Sequence, residues 1–210
     1  GLHVASGEQH WRVKLDGAVR ASITVDGEAL YVGTRNGEFS CLQVASGKIL
    51  WQSRLPGEIS ASAAAADGLV VVGCWDGHIL ALDAATGAER WRTKTQAAVS
   101  SSPAIADGTV WCGSDDHGLY ALDLKTGHVL WRADLGGQVR SSPALSPELV
   151  VVGSVNGKCY GLRRQTGAEA WVMATSEEIM SSPAISGNIA YVGSKDGALY
   201  AVSMDTGEVL

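Results

Sequence analysis

The fold is decided by one stretch of sequence, Ala81-Leu82-Asp83-Ala84-Ala85-Thr86-Gly87-Ala88-Glu89-Arg90-Trp91, because its closing Gly-x-x-x-Trp recurs every forty residues. The recurring tryptophans are Trp11, Trp51, Trp91, Trp131 and Trp171. A glycine column (Gly33, Gly73, Gly113, Gly153, Gly193) and a serine column (Ser22, Ser62, Ser102, Ser142, Ser182) keep the same step. A sequence repeat of constant length, without insertions, indicates structural units that stack and bury their apolar faces against one another. The chain therefore divides into repeats 11–50, 51–90, 91–130, 131–170 and 171–210, preceded by a segment 1–10.

Each repeat reads as four short strands. In the copy that runs from Ser101 to Leu135, the sequence predicts strands over 101–106, 109–114, 119–124 and 129–135, separated by turn residues such as Asp107-Gly108. Four antiparallel strands in forty residues form one propeller blade. The composition agrees, since 26 Gly and seven Trp beside a single Phe favour many short strands over helices. The sequence predicts an all-β, five-bladed β-propeller that forms one domain over residues 1–210.

The two ends of the chain match each other in register. Residues 1–10 align with 201–210, and the last repeat stops one residue before its next Trp. The segment 10–15 has the sequence of an outer strand, so we expect it to complete the last blade and close the ring, which removes both open edges. A closed ring predicts a monomer. The alternative is that the chain is a fragment of a wider propeller.

The motif Ala-x-Asp-x-x-Thr-Gly-x-x-x-Trp, at Ala81 to Trp91 and again at Ala121 to Trp131, resembles the repeat of PQQ-like propellers. That superfamily includes quinoprotein alcohol dehydrogenases, BamB-like lipoproteins, bacterial kinase-sensor domains and propellers attached to some adenylating enzymes. The resemblance implies that the five tryptophans are structural and pack against the neighbouring blade. Gln43, Arg163 and Ser203 replace the Asp of the motif, so we expect looser packing in those repeats.

Charge and hydropathy exclude two classes of partner. The net charge is −6 and no basic run exceeds a pair, which argues against nucleic acid and anionic membranes. No stretch approaches the roughly twenty apolar residues of a membrane span, so we expect no membrane insertion. The resemblance favours the bacterial envelope or another extracytoplasmic location, whereas four apparently unpaired cysteines argue for the cytoplasm.

The sequence offers no catalytic, cofactor or metal residues, so we predict that the chain is not an enzyme. A quinoprotein dehydrogenase needs PQQ, calcium and a carboxylate base, and the resemblance adds eight blades and a vicinal disulfide. The chain has no Cys-Cys pair and no Cys-x-x-Cys-His. The four cysteines occupy different positions in the repeat, so we interpret them as small, buried apolar side chains: Cys41, Cys74, Cys112 and Cys159. The recurrent serines have no neighbouring base, so we expect their hydroxyls to form hydrogen bonds with the backbone of turns.

Binding residues are expected where the columns vary, because loops on a rigid frame are free to specialise. One varying column follows the periodic Gly and contains Arg35, Trp75, Asp115, Val155 and Lys195; the other precedes the inner strand and contains Arg20, Ser60, Ser100, Arg140 and Met180. Trp75 is either an interface anchor or a side chain folded over its own blade. Arg20 and Arg140 either clamp a carboxylate or pair with an acid such as Asp115.

The sequence therefore predicts a non-catalytic binding or scaffold module for a protein, a peptide or a small polar ligand. The candidate face consists of Arg20, Arg35, Trp75, Asp115, Arg140, Met180 and Lys195. Two alternatives stay open from the sequence: a PQQ-binding quinoprotein fragment, and an engineered or trimmed propeller without a ligand.

Overall fold

The computed structural model describes residues 1–210 and contains strands, turns and loops without any helix, which confirms the all-β prediction. Nineteen strands form five antiparallel sheets of four, four, four, four and three strands, and the strands of each sheet follow one another in chain order. Since no helix is present, no helical segment is long and apolar enough to cross a membrane.

The sheets repeat one pattern, from a short inner strand to a longer outer strand. The first sheet contains β1 (Thr24–Asp26), β2 (Ala29–Gly33), β3 (Glu38–Gln43) and β4 (Ile49–Arg54). The second contains β5 (Ala64–Ala66), β6 (Leu69–Cys74), β7 (His78–Asp83) and β8 (Glu89–Lys94). The third contains β9 (Ala104–Ala106), β10 (Thr109–Gly113), β11 (Gly118–Asp123) and β12 (Val129–Asp134). The fourth contains β13 (Ala144–Leu145), β14 (Leu149–Gly153), β15 (Lys158–Arg163) and β16 (Glu169–Ala174), and the fifth contains β17 (Ala184–Ser186), β18 (Ile189–Gly193) and β19 (Leu199–Ser203).

The inner strand is shorter than the sequence predicts. In the third sheet it begins at Ala104 rather than at Ser101. Pro103 has no N–H to give to a ladder, and the N–H of Ser102 donates to the Oγ of Ser142 in the next sheet at 3.2 Å. The residues before the inner strand therefore join neighbouring sheets instead of extending one sheet.

The serine column forms a relay between sheets. In four successive junctions the N–H of one serine donates to the Oγ of the serine forty residues later, at 3.0–3.2 Å: Ser22 to Ser62, Ser62 to Ser102, Ser102 to Ser142, and Ser142 to Ser182. The hydroxyls thus bond the backbone of the preceding blade rather than their own turn. The relay lines up the inner strands of consecutive sheets.

The periodic tryptophans join the outer parts of the sheets. Each indole Nε1 donates to a carbonyl 33 residues later, at 2.8–3.0 Å: Trp11 to Val44, Trp51 to Ala84, Trp91 to Leu124, Trp131 to Arg164, and Trp171 to Met204. The glycine of the next turn lies against the indole, as Gly127 does against Trp91, and its φ of about 70° is a left-handed conformation that suits glycine.

The looser packing expected where the motif Asp is replaced is not observed. The indole bonds in the repeats with Gln43, Arg163 and Ser203 are 2.9, 2.8 and 2.8 Å, within the range of the other repeats. The reason is that the backbone closes each turn, since the N–H of the turn glycine donates to the carbonyl of residue 43, 83, 123, 163 or 203 at 2.8 Å. The Asp side chain only adds to a turn that the backbone already forms.

Closure of the ring is not confirmed. The fifth sheet has three strands, and no hydrogen bond joins residues 1–15 to it. Trp11 instead packs on the first sheet, through Val44 and Gly47. Inner strands contact in the series β1, β5, β9, β13 and β17. The exposure of Tyr191 and Leu199 in the fifth sheet, 38% and 76%, agrees with the absence of a sheet packed against that side.

The core lies between the sheets rather than inside any one of them. Each of four apolar clusters combines side chains from two consecutive sheets. The four cysteines, Cys41, Cys74, Cys112 and Cys159, are free and buried in these clusters. Three of them, Cys74, Cys112 and Cys159, have no exposed surface.

Candidate partner-binding face

One face of the arc carries the turns between the second and third strands and the crossovers between sheets; we call it the loop face. A backbone bond of 2.8–3.0 Å fixes each turn to a crossover carbonyl: Arg35 to Ala18, Trp75 to Glu58, Asp115 to Ala98, Val155 to Gln138, and Lys195 to Glu178. The two varying columns of the sequence therefore lie on one face. The rigid backbone contacts leave their side chains free to differ from blade to blade.

Arg140 and Asp115 form a bidentate pair across the junction of the third and fourth sheets. The Nε and Nη2 of Arg140 donate to the two carboxylate oxygens of Asp115 at 3.0 and 2.9 Å. Hydrogen bonding to Asp115 raises the pKa of the Arg140 guanidinium. Planar fork geometry of this kind is stronger than a single ion pair. Arg140 is therefore already engaged, and a ligand carboxylate would have to compete with Asp115.

Two more cations of the predicted face pair with glutamates that the sequence did not single out. Arg35 donates to Glu58 at 2.9 Å, and Lys195 donates to Glu178 at 2.5 Å. The sequence contains the signal for these pairs. The crossover column consists of Ala18, Glu58, Ala98, Gln138 and Glu178. Glu178 belongs to the same repeat as Lys195, and Glu58 belongs to the repeat after that of Arg35. A comparison of the two columns by charge would have found both pairs.

Trp75 is both attached to its own blade and open to solvent. Its Nε1 donates to the Oγ of Ser60 at 2.6 Å, while half of the residue surface, 50%, stays exposed. The indole borders a shallow cleft of about 520 Å³ lined by Trp75, Asp76, Lys94, Thr95, Gln96, Ala97 and Ala98. The structure thus shows the indole bonded to its own blade with half of its surface exposed, and its role as an interface anchor stays a prediction.

Arg20 and Met180 complete the predicted set, and neither side chain makes a hydrogen bond or an ion pair with the rest of it. Arg20 is exposed and takes part in none of the ion pairs of the chain. Met180 is 39% exposed beside the crossover into the fifth sheet. The structure therefore brings together Asp115 with Arg140, and leaves Arg20 and Met180 as separate surface residues.

The residues present do not fit a calcium–PQQ centre. His, Cys, Asp and Glu side chains form no group of three that could hold a metal ion. The cysteines lie in four different sheets, and burial raises the pKa of Cys74 to about 11 and that of Cys112 and Cys159 to about 12. Such thiols stay protonated and unreactive at neutral pH. No vicinal pair is available to lie against a quinone.

A second cleft, of about 380 Å³, opens on the opposite face between the fourth and fifth sheets. Its charged residues include Arg163 and Glu148, which pair with each other at 2.9 Å and are both exposed. Nearby, the Arg164 guanidinium lies over the Trp111 ring at 4.7 Å and donates to Asp107 at 2.8 Å. These charged groups are paired within the chain. The exposed large aromatic residues are Trp75 and Tyr191, and neither lines this cleft.

Comparisons with known proteins agree with the fold. A family model described as "Beta-alanine-activating enzyme, beta-propeller" matches residues 24–210. BamB from Moraxella catarrhalis is similar at 25% identity and a TM-score of 0.86, over 96% of this chain and 63% of that one. The computationally designed Ika8 protein is similar at 23% identity and a TM-score of 0.81, over 92% and 60%. A quinohemoprotein alcohol dehydrogenase, ADHIIG from Pseudomonas putida HK5, is similar at 19% identity and a TM-score of 0.77, over 95% and 42%.

The chain thus spans less than two thirds of each of these three structures. The likenesses below 25% identity concern the fold alone. A search of curated proteins found no match to the sequence.

Proposed function

The chain belongs to the β-propeller family described as that of the beta-alanine-activating enzyme, and from this premise we propose that it is a non-catalytic module whose loop face binds a protein or peptide. The family description names an enzyme, and the proposal for this chain is supported by its two varying columns, which lie on the loop face. The recurrent serines are occupied in joining the blades.

The observation that carries the proposal is the half-exposed indole of Trp75 beside a cleft. Large apolar side chains at turn tips are costly to leave in water, and Trp is enriched among residues that dominate binding energy. The bond from Nε1 to Ser60 holds the ring in one orientation, so little rotamer entropy is lost when a partner packs on it. A preorganised aromatic surface favours a specific contact.

The charge next to Trp75 indicates the chemistry of the partner. Two charged residues line the same cleft, Lys94 and Asp76. Asp76 is held by His78 at 2.7 Å, whereas Lys94 is exposed and takes part in none of the ion pairs of the chain. An apolar or aromatic side chain of the partner would cover the indole, and a neighbouring Asp or Glu would reach Lys94. We therefore expect a short acidic segment that carries one large apolar residue.

A displayed random-peptide library selected on the 210-residue protein tests this proposal. Peptides enriched on the wild type should contain an apolar or aromatic residue close to an acid. Their binding should fall at least tenfold on Trp75→Ala, which corresponds to the loss expected for an interface anchor. Lys94→Ala should weaken binding less, by a fewfold, and this loss should disappear at high salt.

Matched control variants lie outside the loop face. Leu50 is an outer-strand residue with 52% exposure, close to that of Trp75, and Lys48 lies in a turn on the opposite face. Leu50→Ala and Lys48→Ala should bind the selected peptides like the wild type. Equal binding by Trp75→Ala and Leu50→Ala would contradict the proposed site.

Titration with PQQ and calcium tests the non-catalytic part of the proposal. We expect no saturable change in the quinone absorption spectrum, because His, Cys, Asp and Glu side chains form no group of three that could hold calcium. Stoichiometric binding with a shifted spectrum would contradict a binding module and support a quinoprotein.

A further inference from the structure

A small cleft opens between the third and fourth sheets, on the face opposite the loop face. Its volume is about 240 Å³, and the residues that line it include Trp111, Trp131 and Arg164. Leu130, which is 52% exposed, and Pro147 add apolar surface to the lining. The third and fourth sheets each have a neighbouring sheet on both sides, so the cleft lies in the middle of the arc.

Trp111 brings to this cleft a buried donor without an acceptor. The residue is 2% exposed, and its indole Nε1 makes no hydrogen bond within the chain. Each of the five periodic indoles, by contrast, donates to a backbone carbonyl. Buried polar groups are nearly always hydrogen-bonded, because an unpaired one is costly. A molecule that enters the cleft can supply the acceptor that the chain does not.

Arg164 brings a cation that is held in one orientation. Its Nη1 donates to the carbonyls of Ser146 and Pro147 at 2.9 and 3.4 Å, and its Nη2 donates to Asp107 at 2.8 Å. The side chain is 11% exposed, and the guanidinium lies 4.7 Å from the centre of the Trp111 ring. These bonds leave the Nε–H of Arg164 unused. A fixed cation and an unpaired indole N–H therefore lie side by side at the cleft.

The other junctions between sheets show that the fold does not require this arginine. At the first junction, the hydroxyl of Tyr31 donates to the carbonyl of Ala84 at 3.4 Å, so the polar group equivalent to that of Trp111 is paired. At two further junctions, apolar residues of one cluster occupy the positions of Trp111 and Arg164: Val71 with Leu124, and Val151 with Met204. A guanidinium is costlier to bury than a leucine or methionine side chain. The Trp111–Arg164 pair is thus better explained by binding than by packing.

Asp107 is a partner that Arg164 can exchange. Its carboxylate is 84% exposed and reaches Arg164 from a turn of the neighbouring sheet. Ion pairs of such exposed groups add little to stability. Asp107 stays solvated when it leaves the guanidinium, so the carboxylate of a ligand can take its place.

We propose that this cleft binds a small molecule that carries one carboxylate on an apolar body. The carboxylate accepts from the Nε1 of Trp111 and from the guanidinium of Arg164, and the body packs against Leu130, Trp131 and Pro147. A carboxylate suits these donors because its two oxygens accept several bonds and its charge is opposite to that of the guanidinium. The volume of about 240 Å³ suits a body no larger than a single ring. The cleft lies opposite the loop face, so this inference stands independently of the proposed function.

Titration of the isotope-labelled 210-residue protein with benzoate, followed by NMR of its indole N–H groups, tests this inference. We expect the Trp111 indole proton to move downfield and saturate, because it gains an acceptor. Its signal is identified by its absence in Trp111→Phe. The indole protons of Trp51 and Trp171, which already donate to carbonyls at other junctions, should stay in place. A titration without a saturable shift at Trp111 would overturn the inference.

Benzamide separates the charge of the ligand from its shape. It has the ring and the carbonyl of benzoate but no negative charge, so it should bind roughly tenfold more weakly. Equal binding of benzamide and benzoate would contradict a site for carboxylates.

Two variants of the cleft should change benzoate binding in opposite directions. Arg164→Leu introduces the residue that occupies the equivalent position 124, so it should fold, and it should weaken binding by roughly tenfold or more. Asp107→Asn removes the competing carboxylate and keeps a residue that tolerates the φ of 47° at this position. It should strengthen binding by roughly threefold.

Arg163→Gln is the matched control. It removes the same charge from the adjacent residue, introduces the residue found at the equivalent position 43, and lies outside the lining of the cleft. It should bind benzoate like the wild type. Wild-type binding by Arg164→Leu, weaker binding by Asp107→Asn, or equal losses for Arg163→Gln and Arg164→Leu would each overturn the inference.

Discussion

The third and fifth sheets have the same design but different surroundings. Leu119 of the third sheet is fully buried, whereas Leu199 at the same position of the fifth is 76% exposed. Trp111 is 2% exposed and its equivalent Tyr191 is 38% exposed. The third sheet has a neighbour on each side, and the fifth has one neighbour and an open edge.

This difference shows that burial in the arc comes from the neighbouring sheet and not from the residue type. Leu199 is as apolar as Leu119, and nothing in its own repeat tells it apart. The stability of a stacked repeat is a sum of local terms and interfaces, so the same substitution should have a different cost in each sheet.

Truncation of the equivalent leucines gives the largest expected contrast. Leu119→Ala removes a fully buried side chain and should lower the free energy of unfolding by about 2–5 kcal/mol. Leu199→Ala should change it by less than about 0.5 kcal/mol in dilute protein, because the side chain already meets water. Urea unfolding of both variants measures the contrast. Equal losses would show that the fifth sheet is covered.

The hydrogen-bonded clusters around Asp116 in the third sheet and Asp196 in the fifth give a smaller contrast. Asp116→Asn weakens bonds from Tyr120 and Arg132 to a carboxylate that is 4% exposed, and should cost about 1–3 kcal/mol. Asp196→Asn disturbs a cluster without arginine and should cost less than about 1 kcal/mol in dilute protein. Thermal unfolding of the two variants measures both losses. A larger loss for Asp196→Asn would contradict the assignment of the complete cluster to the third sheet.

Much of the fold could be predicted from the sequence because the repeat fixes the local structure. The turn pairs and the forty-residue period predict the strands of each sheet. The inner strand is shorter than predicted even where Ile23 or Ala63 replaces Pro103, because the N–H of the preceding serine bonds the next sheet. Closure of the ring could not be predicted, because it depends on the angle that packing such as Trp91 on Gly127 imposes between sheets.

The positions of the candidate residues could be predicted in part for a similar reason, whereas their role in binding stays a prediction. A varying column shows which side chains share a face, and it led to Trp75, Asp115 and Arg140. It does not show how far each side chain reaches. Glu58 and Glu178 were missed because they belong to a third column, and their pairing with cations depends on distances across the crossover.

A substitution at His117 tests the backbone conformation of one turn, independently of how neighbouring sheets pack. His117 has a φ of 71° in a turn where the other sheets have glycine, including Gly197 in the fifth. A left-handed conformation costs an ordinary residue roughly 1–2 kcal/mol, and the greater unfolded freedom of glycine offsets part of this. His117→Gly should stabilise the protein by about 0.5–1 kcal/mol in chemical denaturation. A loss of stability would indicate that the His117 side chain makes a compensating contact.

The smallest expected effect concerns pH and the turn of the second sheet. Hydrogen bonds from Arg90 and from the side chain and N–H of Thr86 lower the pKa of Asp83 from 3.8 to about 2. The folded state therefore favours the ionised carboxylate, which contributes stability above about pH 4 that is lost as the pH falls towards 2. The difference in stability between the wild type and Asp83→Asn should be present at about pH 6 and shrink over this window, as measured by urea unfolding. A difference that is constant with pH would contradict the assignment.

The central claim is that the five sheets form an open arc whose last sheet lacks a neighbour. Hydrogen–deuterium exchange of the wild type at high dilution tests it most directly, by comparing the amides of β11 with those of β19. We predict strong protection of β11, and exchange at Leu199 and Tyr200 of β19 faster by at least an order of magnitude, because the outer edge of β19 pairs only from Ala201 onwards, with residues 208–210. Equal protection of the two strands in a protein shown to be monomeric would contradict the open arc and indicate that residues 10–15 close the ring.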